Sequence, residues 1–172
     1  MGSYNYGKAE IVEWVKQNFP HGATCLDVGA CDGKWARLLG DYLTMDAVEI
    51  FPPNGANLNG YRKVFIQDIA DYEYDHYDLI IFGDVIEHMT VEKAQRVLEY
   101  AFPRCEDMII GIPYELDQDA IYGNPWEIHI QNDLTPENFK ERYPEYELLL
   151  RPTEDYAYYH KDRSICGNEK SI

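Results

Sequence analysis

The segment Cys25-Leu26-Asp27-Val28-Gly29-Ala30-Cys31-Asp32-Gly33-Lys34-Trp35 constrains the fold of this chain more than any other. An apolar strand runs into Asp27, a loop with glycines at positions 29 and 33 follows, and a helix opens after Gly33. Glycine lets a backbone turn sharply and come close to a ligand, because no side chain intervenes. A second apolar strand, Ala47-Val48-Glu49-Ile50, then places an acid at its end. A glycine turn feeding a helix N-terminus, with an acid one strand later, is how open α/β sheets hold nucleoside-bearing cofactors.

The rest of the chain repeats the same alternation. Residues 8–19 carry Ile11, Val12, Trp14, Val15 and Phe19 at helical spacing, and Pro20-His21-Gly22 ends that run. Residues 34–43 read as a helix with Trp35, Leu38 and Leu39 inward. Residues 51–60 carry loop chemistry where a crossover helix would normally sit. Strands are expected at 63–67, at 77–82 and at 107–112; the second is nearly continuously apolar, as in a parallel strand covered on both faces. Between the last two lies a helix over 91–102, with Ala94, Val97, Leu98 and Ala101 inward. A long loop spans 114–125, and Thr135-Pro136-Glu137 opens a helix by cap, proline and first-turn acid. Residues 146–150 and 156–160 are expected to pair antiparallel. The sum is a single α/β domain over 1–172, with residues 1–7 and 162–172 as frayed ends. It is a doubly wound, Rossmann-like, mostly parallel seven-stranded sheet, with helices on both faces and a C-terminal antiparallel strand pair.

Charge narrows the partners. Net charge is −16, from 31 acidic and 15 basic residues, with no Lys/Arg run to offset it. Such a surface repels nucleic acid and anionic lipid at long range. There is no apolar run long enough to cross a membrane and no basic-then-apolar leader, so a cytoplasmic protein acting on a small molecule is expected. The four cysteines form no C-x-x-C pair, and Cys25 and Cys105 read as buried thiols. The five histidines (His21, His76, His88, His129, His160) show no metal-ligand spacing, so no metal site is expected.

The glycine spacing decides between cofactors. Counting from Gly29, a dinucleotide fingerprint needs glycines at 31 and 34, where Cys31 and Lys34 stand. A Walker loop fails because Trp35 follows Gly33-Lys34. What remains is D-x-G-x-x-x-G at Asp27 to Gly33, Val48-Glu49-Ile50 at the second strand, and Tyr77-Asp-Leu-Ile-Ile-Phe-Gly83-Asp84-Val85-Ile86-Glu87-His88 at the fourth. With these motifs the chain resembles the class I S-adenosylmethionine-dependent methyltransferases, of the small kind that is little more than the core fold. The resemblance rests on motifs over residues 23–112 and on element order beyond.

The resemblance implies a cofactor, S-adenosylmethionine, with S-adenosylhomocysteine as product. It places Glu49 on the ribose diol, where a carboxylate accepts charge-assisted hydrogen bonds from both hydroxyls. Asp27, Gly29, Ala30 and Gly33 would surround the methionine end, the carboxylate favoured by the helix N-terminus. Ile50 and Phe51 would adjoin the adenosine. Asp68 and Ile69 would meet the adenine ring, with Phe51 and Ile69 covering its faces, and Gly83 and Asp84 would lie beside the methionine. Cys31 stands where the family often has glycine. His88 and His129 are the candidate bases, whereas Glu87 is expected to serve a helix start. Tyr4, Tyr6, Tyr114, Tyr122 and Trp126 lie in segments able to roof a site. Two other readings share the pattern: a module that binds the cofactor or its product without transfer, and an interaction protein that keeps only the fold.

Overall fold

The computed structural model describes residues 5–52, 56–121 and 123–163. One seven-stranded sheet organises it. Its strands are β1 (Thr24–Val28), β2 (Thr44–Glu49), β3 (Lys63–Ile66), β4 (Tyr77–Gly83), β5 (Cys105–Pro113), β6 (Glu147–Thr153) and β7 (Tyr156–Asp162). Their spatial order is β3-β2-β1-β4-β5-β7-β6. The pairs from β3 to β5 are parallel, and β7 runs antiparallel to both β5 and β6. This is the doubly wound fold with a C-terminal antiparallel pair that the strand pattern predicts.

The period-two alternation of a strand sends neighbouring side chains to opposite faces. Leu26, Val28, Ile80, Phe82, Met108 and Ile110 point to one core layer. Cys25, Leu79, Ile81 and Ile109 point to the other. The first layer is closed by α3 (Val91–Ala101), through Ala94, Val97, Leu98 and Ala101, and by Phe139 of α4 (Pro136–Arg142). The second is closed by α1 (Lys8–Asn18), through Ile11, Val12 and Val15, and by Trp35 and Leu39 of α2 (Lys34–Leu39). The central strands are therefore covered on both faces, which is why they read as unbroken apolar runs.

The caps follow from the sequence. Thr135 Oγ1 accepts the Asn138 N–H at 3.1 Å, and Thr90 Oγ1 accepts the Lys93 N–H at 3.3 Å. No helix lies between β2 and β3 among the described residues.

Three expectations change. Helix α2 ends at Leu39 rather than at 43, and Leu38 is exposed instead of inward. Strand β7 continues through Lys161 and Asp162, which pair with Met108 and Asp107, and Lys161 Nζ lies 4.0 Å from the Phe102 ring centre. The polarity of Lys161 hides this continuation, because its ammonium is held over the Phe102 ring rather than in solvent. Residues 5–7 are also held, since Tyr158 Oη donates to the Tyr6 carbonyl at 2.8 Å and Gly7 caps α1. Residues 164–172 lie outside the described residues.

The curtailed crossover packs back on α2. Gly33 caps that helix at φ +79°, and a Cβ there would stand 2.3 Å from the Asn57 carbonyl oxygen. Both backbone strain and this contact oppose a side chain, so Gly33→Ala is expected to cost about 1–3 kcal/mol in urea unfolding. An unchanged midpoint would contradict this account of the loop.

Candidate functional site

The chain enters the sheet at β1, winds outward to β2 and β3, then returns to β4 on the other side of β1. The crevice at the C-terminal ends of strands flanking such a reversal is the usual ligand position in open α/β sheets. A cleft opens there. Of the residues expected to bind a cofactor, Gly29, Glu49, Ile50, Asp68, Ile69, Gly83 and Asp84 line it, together with His88 and His129. Asp27, Ala30, Gly33 and Phe51 do not line it.

Glu49 holds the centre of this wall. It is buried at the tip of β2, and its two oxygens accept the backbone N–H groups of Cys31 and Phe51, each at 2.7 Å. One carboxylate thus ties the glycine loop to the end of the second strand. Cys31 bends to meet it at φ +48°, a left-handed conformation unusual for a side-chain-bearing residue. Gly29 lets the loop close over β4, for a Cβ at φ +73° would lie 2.5 Å from Val85 Cγ2.

Asp68 closes the far end. Its Oδ1 accepts the Ala70 N–H at 2.9 Å, and its Oδ2 pairs with Lys93 Nζ at 2.6 Å. At the tip of β4, Asp84 takes φ +58°, donates its N–H to the Gly111 carbonyl, and accepts a hydrogen bond from Tyr156 Oη at 2.7 Å.

Asp27 sits behind the loop. It is 1 % exposed, one oxygen accepts from Tyr61 Oη, and the other has no hydrogen-bond partner. Burial lifts its pKa to about 7, against the opposing pull of the Tyr61 hydrogen bond and the Lys8 charge. Lys8 is buried too, without a hydrogen-bond partner for Nζ, which stands 4.1 Å above the Trp35 ring. Burial lowers its pKa to about 8. The Trp35 indole N–H is likewise unpartnered and lies against Gly83, where a Cβ would be 2.7 Å away.

The opposite wall comes from the turn after β4 and the segment before α4. The turn Ile86–His88 carries Glu87 and His88, and His129 arrives from the long excursion after β5. The two imidazoles meet edge to face, 4.8 Å between centres. Burial holds the pKa of both down, to about 4 for His88. His88 Nδ1 lies 3.2 Å from the Ile128 carbonyl and His129 Nδ1 lies 2.8 Å from the Leu116 carbonyl. A carbonyl only accepts, so each Nδ1 carries the proton and each Nε2 keeps its lone pair.

Glu87 stands in the first turn of the 3-10 helix Ile86–His88, as a helix-start acid is expected to. It is also fully buried in the cleft wall, and no side chain hydrogen-bonds either carboxylate oxygen. Burial first, then the neighbouring Asp84 charge, pushes its pKa well up. Of the aromatic residues expected to roof the site, Trp126 lines it and is half exposed. Tyr114 is instead buried against Tyr159, and Tyr6 packs edge-on to Tyr156. Tyr4 and Tyr122 lie outside the described residues. Sequence reasoning missed Lys8, Lys93 and Glu127. Their only signal was a charged residue beside apolar ones, which in sequence reads as a solvated face.

No family model and no curated protein matches this sequence. Solved structures do. A S-adenosylmethionine-dependent methyltransferase from Clostridium acetobutylicum superposes at a TM-score of 0.68 and 12 % identity, covering 91 % of each chain. The 1,6-didemethyltoxoflavin-N1-methyltransferase of Burkholderia thailandensis, with S-adenosylhomocysteine bound, gives 0.67 at 15 % identity over 89 % of this chain and 76 % of its own. A TehB-like enzyme from Corynebacterium glutamicum gives 0.62 at 14 % over 94 % and 90 %. The fold is that of the class I S-adenosylmethionine-dependent methyltransferases. No described helix is long and apolar enough to cross a membrane.

The Asp27 environment makes a prediction about stability. Its folded pKa of about 7 lies above the ordinary 3.8, so between these limits the folded chain holds more protons here than the unfolded chain. Stability contributed at this group is therefore lost as pH rises through that window. Asp27→Asn, which still accepts from Tyr61, is expected to gain on the wild type in urea midpoint from about pH 4.5 to about pH 7.5. A constant difference across that range would show the carboxyl already ionised.

Proposed function

We propose that this chain is an S-adenosylmethionine-dependent methyltransferase acting on a small molecule. The observation that carries the reading is the clamped carboxylate of Glu49. Two backbone amides fix its orientation before any ligand arrives, at 2.7 Å each. A carboxylate has about four lone-pair sites. The remaining ones suit a vicinal diol, and pre-orientation removes part of the cost of binding.

Buried polar atoms without partners fit the other end of the cofactor. Lys8 Nζ, Asp27 Oδ1 and the Trp35 indole N–H gather behind the glycine loop and Gly83. An α-carboxylate would satisfy the two donors and an α-ammonium the carboxylate oxygen, which offsets the cost of burying them unpaired. Ile69 is apolar and lines the cleft beside Asp68, where an adenine ring fits. The cleft's acids Glu49, Asp68, Asp84 and Glu127 outnumber Lys93, and such a field attracts a cation such as a sulfonium.

When bound, the cofactor supplies a methyl group on a sulfonium sulfur, a leaving group already activated by its charge. The chain's own task is to align an acceptor with that methyl group and to exclude water, which alone lowers a barrier substantially. The wall of His88, His129, Gln118 and Trp126 is the acceptor side. Each histidine presents an Nε2 lone pair there, because its Nδ1–H is spent on a backbone carbonyl.

Calorimetry with S-adenosylhomocysteine tests the assignment. The wild type is expected to bind, and Glu49→Ala to lose about 1–3 kcal/mol, the scale of charge-assisted hydrogen bonds left unmade. Equal affinity in both proteins would refute the ribose contact. Methyl transfer is tested separately. With an acceptor in hand, His88→Ala and His129→Ala are each expected to slow turnover roughly tenfold or more. Binding without turnover on any acceptor would instead indicate a module that only holds the cofactor.

A further inference from the structure

The acceptor wall contains a buried acid, Glu87, that the methyl-transfer reading does not use, beside the two histidines that it does. One carboxylate oxygen of Glu87 and one ring nitrogen from each of His88 and His129 lie within 4.8 Å of one another. We propose that these three residues bind a divalent first-row transition-metal ion, and that the ion's open positions take a hydroxyl oxygen of the methyl acceptor. The second half of this inference rests on the methyltransferase reading; the first half does not.

Three observations carry it. Glu87 is 0 % exposed, and no side chain hydrogen-bonds either of its oxygens, which have only the backbone N–H groups of Val85 and Glu87 nearby. A buried carboxylate in that state is costly, and an ion bound to it removes the cost. Next, the histidines are oriented as metal ligands are. Each donates Nδ1–H to a backbone carbonyl, Ile128 at 3.2 Å and Leu116 at 2.8 Å, which fixes the ring and leaves Nε2 as the donor atom. Finally, the two segments are stitched together independently of any ion. The Glu87 carbonyl accepts the N–H groups of Ile130 and Gln131 at 2.8 and 2.9 Å, and the Gln131 amide donates to the Ile86 and Met89 carbonyls at 2.8 and 3.1 Å. The ligand-bearing turns are thus held in place.

Ligands sharing one ion at about 2.1 Å stand at most about 4.2 Å apart, so a small side-chain rotation completes the site. Two imidazoles and one carboxylate favour a transition ion over magnesium or calcium, which prefer all-oxygen shells. All three residues line the cleft, so the remaining positions open onto the acceptor's space. A hydroxyl bound there becomes more acidic. Its O–H bond breaks, the proton leaves to solvent water, and the electron pair stays on the metal-bound oxygen, which is then presented as an anion. On this account the histidines hold the ion and do not take the acceptor's proton themselves.

The chain freed of metal by chelator and dialysis is titrated with Zn2+ by calorimetry, and with Co2+ by visible absorption. One saturable site is expected in the wild type, with binding weakened roughly 10- to 100-fold in Glu87→Gln and in His88→Gln, and no such site for Mg2+. Metal-free Glu87→Gln is expected to melt at or above the wild type, because it sheds a buried carboxylate, so weaker binding there reports a lost ligand rather than a lost fold. No saturable site in the wild type, or equal binding by Glu87→Gln, overturns the metal site. S-adenosylhomocysteine titrated in parallel separates the two readings: its binding without any metal response overturns only this inference, and a metal response without its binding overturns the methyltransferase reading and the acceptor half of this inference while the metal site stands.

Discussion

Two hydrogen bonds to one carboxylate organise the cleft. Glu49 receives the amides of Cys31 and Phe51 at 2.7 Å each, and so joins the loop after β1 to the end of β2. Without that bridge Cys31 has no evident reason to adopt its left-handed conformation, and the loop has no fixed height above β4. The buried acid costs desolvation, and backbone N–H groups offset it without adding a positive charge. The site therefore stays acidic while its central acid stays in place.

That acidity runs through the whole cleft. Burial raises the pKa of Glu87 and Glu127, with Asp84 adding to both, so the site tolerates its carboxylates at an electrostatic cost. Groups held against such a cost mark functional positions more often than random surface does. A cationic ligand relieves it. The two groups of perturbed side chains are separate in this respect: Asp27 and Lys8 stand behind the glycine loop, whereas Glu87, His88 and His129 stand across the cleft.

The fold was legible because each strand carries its own burial pattern and each turn its own chemistry. Thr135-Pro136, the glycines at 29 and 33, and the apolar run 77–82 each constrain the backbone locally. Strand tips were legible for the same reason, which is why Glu49, Asp68 and Asp84 could be placed in one crevice. What escaped depends on contacts between distant segments. Glu87 is the helix-start acid it looks like, but its burial shows only once the Ile130 and Gln131 amides are seen to bind its carbonyl. His88 and His129 show no ligand spacing because the long excursion after β5 brings them together. Leu38 and Tyr114 were misplaced because local pattern does not say which face of a loop or short helix is covered.

The central claim is that the bridged carboxylate of Glu49 receives the sugar of an adenosyl cofactor. A crystal structure of the chain grown with S-adenosylhomocysteine tests it most directly. Both ribose hydroxyls are expected within hydrogen-bond distance of Glu49 while the Cys31 and Phe51 amides remain in place. An empty cleft, or a ribose turned away from that acid, would contradict it.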